Sequence, residues 1–90
     1  MNGTYKLLED FLRALPLDVK IIKLSFINIE QILRHNLPSS HIDYRQWWEN
    51  QSDTSERPQA KAWTNADFKV NEVERDTVNR IGWVEFKRLK

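Results

Sequence analysis

The stretch from Phe68 to Leu89, FKVNEVERDTVNRIGWVEFKRL, decides the fold. Its two ends are rich in β-branched and aromatic residues, and between them stands the turn-forming set Asp76-Thr77-Val78-Asn79. Such a pattern predicts a hairpin of two strands, residues 68–75 and 80–89. In the second strand Val84, Phe86 and Arg88 share one face, and Ile81, Trp83 and Glu85 share the other, because side chains alternate along a strand. Val70 and Val73 break that alternation in the first strand, which a bulge near Asn71 and Glu72 reconciles.

Working back from the hairpin, Pro58 suits the first turn of a helix that runs through Gln59, Ala60, Lys61, Ala62 and Trp63 to Ala66. The polar run at 49–57 ahead of it is expected to be a mobile loop. Trp47 and Trp48 are neighbours, so in a regular element they cannot both point into one core, and one of them is expected to meet another element or a partner. Leu37-Pro38-Ser39-Ser40 forms a turn, and either serine can open a short helix through Tyr44. Ser25 is an N-cap for a helix over 27–35 that turns Ile29, Ile32 and Leu33 inward and closes with Asn36 in the left-handed region. Val19 to Leu24 reads as a strand. At the start, Thr4 caps a helix that buries Tyr5, Leu8, Phe11, Leu12 and Leu15, turns Lys6, Glu9, Asp10 and Arg13 to water, and stops at Pro16.

The resulting order is helix, strand, helix, a Trp-containing segment, helix and β-hairpin. This predicts an α+β fold, one small winged-helix-like domain over 1–90, divided into an N-terminal helix (1–16), a strand, helix and Trp segment (19–48), the loop (49–57) and a helix plus hairpin (58–89). In a winged helix the last helix is offered to DNA and the hairpin forms the wing.

Ninety residues allow one domain that buries only about 60–65% of its unfolded surface, so the core must be dense. Four Trp, four Phe and two Tyr supply it. Without cysteine there is neither a disulfide framework nor a thiolate metal cluster, and His35 and His41 have no third ligand beside them. No metal or cofactor is therefore expected. The apolar run from Leu15 to Ile32 is broken by Pro16, Asp18, Lys20, Lys23, Asn28, Glu30 and Gln31 and cannot span a bilayer. The first residues lack the apolar stretch of an export signal, so the expected location is the cytoplasm. A formal charge of +1 is far from the field of a protein that holds nucleic acid by charge alone.

Two groupings have the residue types of catalysis. His41, Asp43 and Tyr44 could form an acid–base cluster, but a polar turn explains them as well. Glu72, Glu74 and Asp76 with the Glu85-Phe86-Lys87 triplet have the residue types of a metal-dependent nuclease, yet no aspartate is placed on a neighbouring strand to complete the set. The chain is not expected to be an enzyme.

A third grouping suits binding. Ser39, Ser40, Arg45, Gln46, Asn50, Gln51, Arg57, Gln59 and Lys61 collect hydroxyls, amides and cations in the middle of the chain, and Arg75 and Arg80 flank the wing. Hydroxyls and cations hold phosphate oxygens, while Arg, Asn and Gln make paired hydrogen bonds to base edges. Double-stranded DNA is the expected partner, bound through the 58–66 helix, with Gln59 and Lys61 toward the groove, and through the hairpin wing. The alternative is a protein-interaction adaptor or inhibitor that uses an exposed Trp47 and Trp48 surface.

The motifs Leu37-Pro38-Ser39-Ser40, Trp47-Trp48-Glu49-Asn50, Gln59-Ala60-Lys61-Ala62-Trp63 and Val84-Glu85-Phe86-Lys87-Arg88 resemble a small prokaryotic domain of unknown function. Its pattern is Leu-Pro-x-Ser-Ala, Trp-Trp-x-Asn, Gln-Ala-x-Ala-Trp, Ala-Gly-Trp and Val-x-Phe-x-Arg, matched over residues 25–88. The resemblance implies a domain found alone or attached to nuclease and restriction-type proteins, hence an accessory role near nucleic acid in defence or mobile elements. His41 departs from the pattern after Ser40, and Asp67-Phe68 stands where the pattern has Gly-Trp.

Overall fold

The computed structural model describes residues 5–50 and 58–89. Its elements are α1 (Lys6–Arg13), β1 (Ile21–Ser25), α2 (Phe26–Leu33), α3 (Ser40–Asp43), a 3-10 turn (Arg45–Trp48), α4 (Pro58–Thr64), β2 (Phe68–Asp76) and β3 (Ile81–Arg88). The strands form one antiparallel sheet in the order β1-β3-β2. It is a small α+β domain in a winged-helix-like arrangement, with β1 closing on β3, the second strand of the terminal hairpin and the middle strand of the sheet.

The hairpin has the expected faces. Val84 and Phe86 are fully buried, whereas Ile81 is half exposed. Val70 pairs with Phe86 and Glu72 with Glu85, so Asn71 is the extra residue of a bulge. Asp76 fixes the turn, its carboxylate accepting from the Val78 and Asn79 backbone N–H groups at 3.0 Å and from the Asn79 side chain at 2.8 Å.

α2 begins at Phe26, one residue earlier than expected. Ser25 and Asn28 cap it reciprocally, each side-chain oxygen accepting from the other's backbone N–H at 3.0 and 3.2 Å. The helix also ends two residues early. Arg34, not Asn36, takes the left-handed conformation, with φ 64° and its N–H on the Glu30 carbonyl at 2.8 Å. β1 starts at Ile21 rather than Val19. Thr4 and the 51–57 part of the expected loop lie outside the described residues.

In α1, Leu8 and Leu12 are buried as the periodicity predicts. Glu9 is the exception, because it is covered rather than turned to water. Its carboxylate receives Lys6 at 3.2 Å, Arg13 at 3.0 Å and, from the exit of α4, Asn65 at 3.4 Å. Burial by itself would raise the Glu9 pKa, but these donors outweigh it and hold the carboxyl below its ordinary range.

The tight 3-10 turn solves the problem of the adjacent tryptophans. About 120° of rotation per residue sends the two rings in different directions. Trp48 enters the core at 1% exposure, stacked on Phe26 at 5.3 Å and on Trp63 at 5.8 Å, and its indole N–H donates to the His41 carbonyl at 2.8 Å. Trp63 continues the column to Phe86 at 5.6 Å. Trp47 packs half-buried, edge-on to Tyr5 at 5.9 Å. The exposed Trp47–Trp48 surface expected from the sequence is therefore corrected, since Trp48 is the centre of the core.

Candidate binding groove

The structure separates the residues expected to bind DNA into two groups. Arg45 and Lys61 are exposed, and no ion pair is formed by either among the described residues. Ser39 is exposed beside the half-buried Ser40. Arg57 lies outside the described residues. Asn50, Gln59, Arg75 and Arg80 are engaged within the domain.

Gln59 corrects the expected groove-facing pair with Lys61. It is buried, and its amide donates to the Trp47 carbonyl at 3.1 Å, because α4 turns most of its short length inward. Gln59, Ala60, Ala62 and Trp63 are all buried, which leaves Pro58 and Lys61 as the exposed positions in Pro58–Thr64. α4 packs chiefly against α1 and β2, where a recognition helix would have stood clear of the sheet.

Asn50 acts on the sheet edge. Its side-chain oxygen accepts from the Val70 N–H at 2.7 Å and the Trp63 indole at 3.1 Å, and its amide donates to the Val70 carbonyl at 2.9 Å. It thereby substitutes for a neighbouring strand next to the bulge. Arg75 donates to the Ile42 carbonyl and ties α3 to the hairpin. Arg80 forms an ion pair with Asp43 at 2.9 Å.

His41 and Asp43 do not form an acid–base pair. His41 is buried, its Nδ1 meeting the Pro38 carbonyl, and it packs edge-on to Phe26 at 4.8 Å, while Asp43 faces Arg80. At the other departure from the resembled pattern, Asp67 takes the left-handed conformation that glycine would favour, with φ 63°. Its carbonyl accepts from Leu89 at 2.8 Å, so the tight exit from α4 survives without glycine. Among the described residues no three acidic, His or Cys side chains are grouped to hold a metal, and no helix is long and apolar enough to cross a membrane.

What the structure does bring together is an open groove of about 570 Å³ between the start of α2, α3 and the start of β3. Phe26, Leu37 and Ile42 form its buried floor, and Ile27, Ile81 and Trp83 rise as its walls. Ile27 is 58% and Ile81 52% exposed, so both present apolar surface to solvent. Arg80 stands at the rim. Ser25, Glu30, Asn36, Ser39 and His41 add polar groups to the lining, and a volume in this range with a mainly apolar surface is typical of ligand sites.

Gly82 makes the groove possible. A Cβ there would meet the Glu74 carbonyl and fall 2.6 Å from Phe26 Cε2, so only glycine lets the Phe26 ring lie on β3. An isolated glycine inside a strand signals such a close approach, and it was the one mark of this site in the sequence.

No curated protein and no solved structure matches the chain. A family model described as a domain of unknown function, DUF7662, matches residues 5–84. Together with the single α+β unit seen here, this match establishes that the chain belongs to the DUF7662 family.

Proposed function

We propose that this domain is a protein-interaction module whose groove receives an apolar side chain of another polypeptide. The observation that carries the proposal is the groove itself, an apolar hollow walled by the exposed Ile27 and Ile81 and by Trp83. Aromatic and arginine side chains around a pocket are the usual anchors of protein interfaces, and Trp83 and Arg80 provide both here. The near-neutral formal charge of +1 suits a polypeptide partner better than a polyanion. The resemblance to domains attached to nuclease and restriction-type proteins supplies a class of partner, and the role is then that of an adaptor or inhibitor in a defence or mobile-element system.

Duplex DNA finds less support in the geometry. Of the residues expected at that surface, Asn50, Gln59 and Arg75 already hold the domain together.

The test is selection of a displayed random-peptide library on the folded domain, followed by mapping of backbone amide shifts. The expected outcome is a set of peptides with a shared apolar anchor that move the resonances of Ile27, Leu37, Ile81 and Trp83. Their affinity should change little between about 50 and about 200 mM salt, over which range phosphate contacts lose several orders of magnitude. Shifts centred on Arg45 and Lys61 with mixed duplexes, and a steep salt dependence, would overturn the proposal.

A further inference from the structure

Arg80 occupies an unusual place for a long side chain. Its φ is 58°, a left-handed conformation that glycine or asparagine takes with less strain, and it sits at the point where the hairpin turn enters β3. That position puts the guanidinium at the rim of the groove, 2.9 Å from Asp43 and 3.5 Å from the Ser39 carbonyl. The two side chains of the ion pair are 46% and 43% exposed. A pair so open to water is weak, and a competing carboxylate can replace Asp43 with little loss.

The neighbouring charges are already committed. Glu30, which also lines the groove, has its carboxylate turned onto the Leu37 N–H at 2.8 Å. Lys23 lies over the Trp83 ring at 4.0 Å. Arg75 is fixed on the Ile42 carbonyl, which holds the end of α3, and with it Asp43, beside the hairpin. Arg80 is thus the cation of the groove lining whose shorter contact is to an exposed carboxylate, with the Ser39 carbonyl a longer second one. Its planar fork matches a carboxylate in two hydrogen bonds.

We infer that the groove recognises an apolar side chain with a carboxylate beside it, and that Arg80 reads the carboxylate by exchanging Asp43 for it. Asp43 serves as the internal occupant of the acid subsite while no partner is present. This inference rests on the groove being a polypeptide-binding site, and it adds the chemistry of the segment that the groove selects.

The test uses two capped peptides, acetyl-Gly-Trp-Glu-Gly-amide and acetyl-Gly-Trp-Gln-Gly-amide, titrated into the labelled domain and followed through the Leu37, Ile81 and Trp83 amides. The acidic peptide is expected to bind roughly twofold to fivefold tighter than its neutral counterpart. Arg80→Gln should abolish that difference. Asp43→Asn, which removes the competitor, should tighten the acidic peptide and leave the neutral one unchanged, so the two variants move in opposite directions. Equal binding of both peptides at the groove would overturn the acid subsite and leave the apolar groove standing. If neither peptide moves the groove amides, the groove and the subsite fall together.

Discussion

The Phe26 ring lies where a side chain at position 82 would have to be, with Cε2 only 2.6 Å from the place of a Cβ on Gly82. The other obstacle is the Glu74 carbonyl, which is backbone and cannot swing away. Gly82→Ala should therefore destabilise the domain by about 2–3 kcal/mol, because the strain of overpacking exceeds the entropy gained by losing a glycine. Urea unfolding measures it, and an unchanged or raised midpoint would show that Phe26 and β3 do not meet in this way.

Asn50 makes three hydrogen bonds from one side chain, and two of the groups it satisfies belong to Val70 at the sheet edge. Asn50→Ala leaves those backbone groups and the buried Trp63 indole without their partner, at a cost of about 2–3 kcal/mol. Arg45→Ala and Lys61→Ala, at exposed positions, should stay within about 0.5 kcal/mol of the parent. A neutral Asn50→Ala would contradict the structural role assigned to this residue.

The adjacent tryptophans should separate cleanly. Trp48→Ala removes the middle of the Phe26–Trp48–Trp63 stack and should cost about 3–5 kcal/mol, a large share of the stability of a domain of this size. Trp47→Ala should cost less than half as much, since that ring is only half-buried against Tyr5. Similar losses at the two positions would contradict the directions in which the 3-10 turn sends them.

Acid sensitivity follows from Glu9 and Asp76. Both carboxyls are held below their ordinary range, Glu9 by the Lys6, Asn65 and Arg13 donors that outweigh its burial, and Asp76 by the backbone and side-chain bonds from Asn79 and the Val78 N–H. A carboxyl with a lowered folded-state pKa stabilises the fold above its unfolded pKa, and that contribution is lost as pH falls through the folded value. The melting temperature should therefore hold above about pH 5 and drop below about pH 4. Glu9→Gln should flatten part of the drop and leave the remainder to Asp76. A variant with the parent's full acid dependence would exclude Glu9 as a contributor.

Much of the fold could be read from local chemistry. Val84 and Phe86 announce the inner face of the hairpin, Asn71 its bulge, and Ser25 the start of α2, because each depends on near neighbours in the chain. Element ends were less legible, as Arg34 shows. A helix two residues shorter than its apolar period moved the left-handed position onto a residue with no preference for it. The polar residues were read least well. Asn50, Gln59 and Arg75 have the side chains of a nucleic-acid contact, and only tertiary packing reveals that their hydrogen bonds close inside the domain. The groove joins Ile27, Leu37, Ile42, Ile81 and Trp83 from separate elements, so no spacing in the chain could assemble it.

The most direct test of the proposed role is the affinity of a groove-selected peptide for the double variant Ile27→Gln, Ile81→Thr. Both positions are exposed and the replacements respect helix and strand preference, so the melting temperature should barely change. Binding should weaken by at least about tenfold, the worth of roughly 1.4 kcal/mol of apolar contact. Undiminished affinity in the folded double variant would contradict the groove as the site where this domain meets its partner.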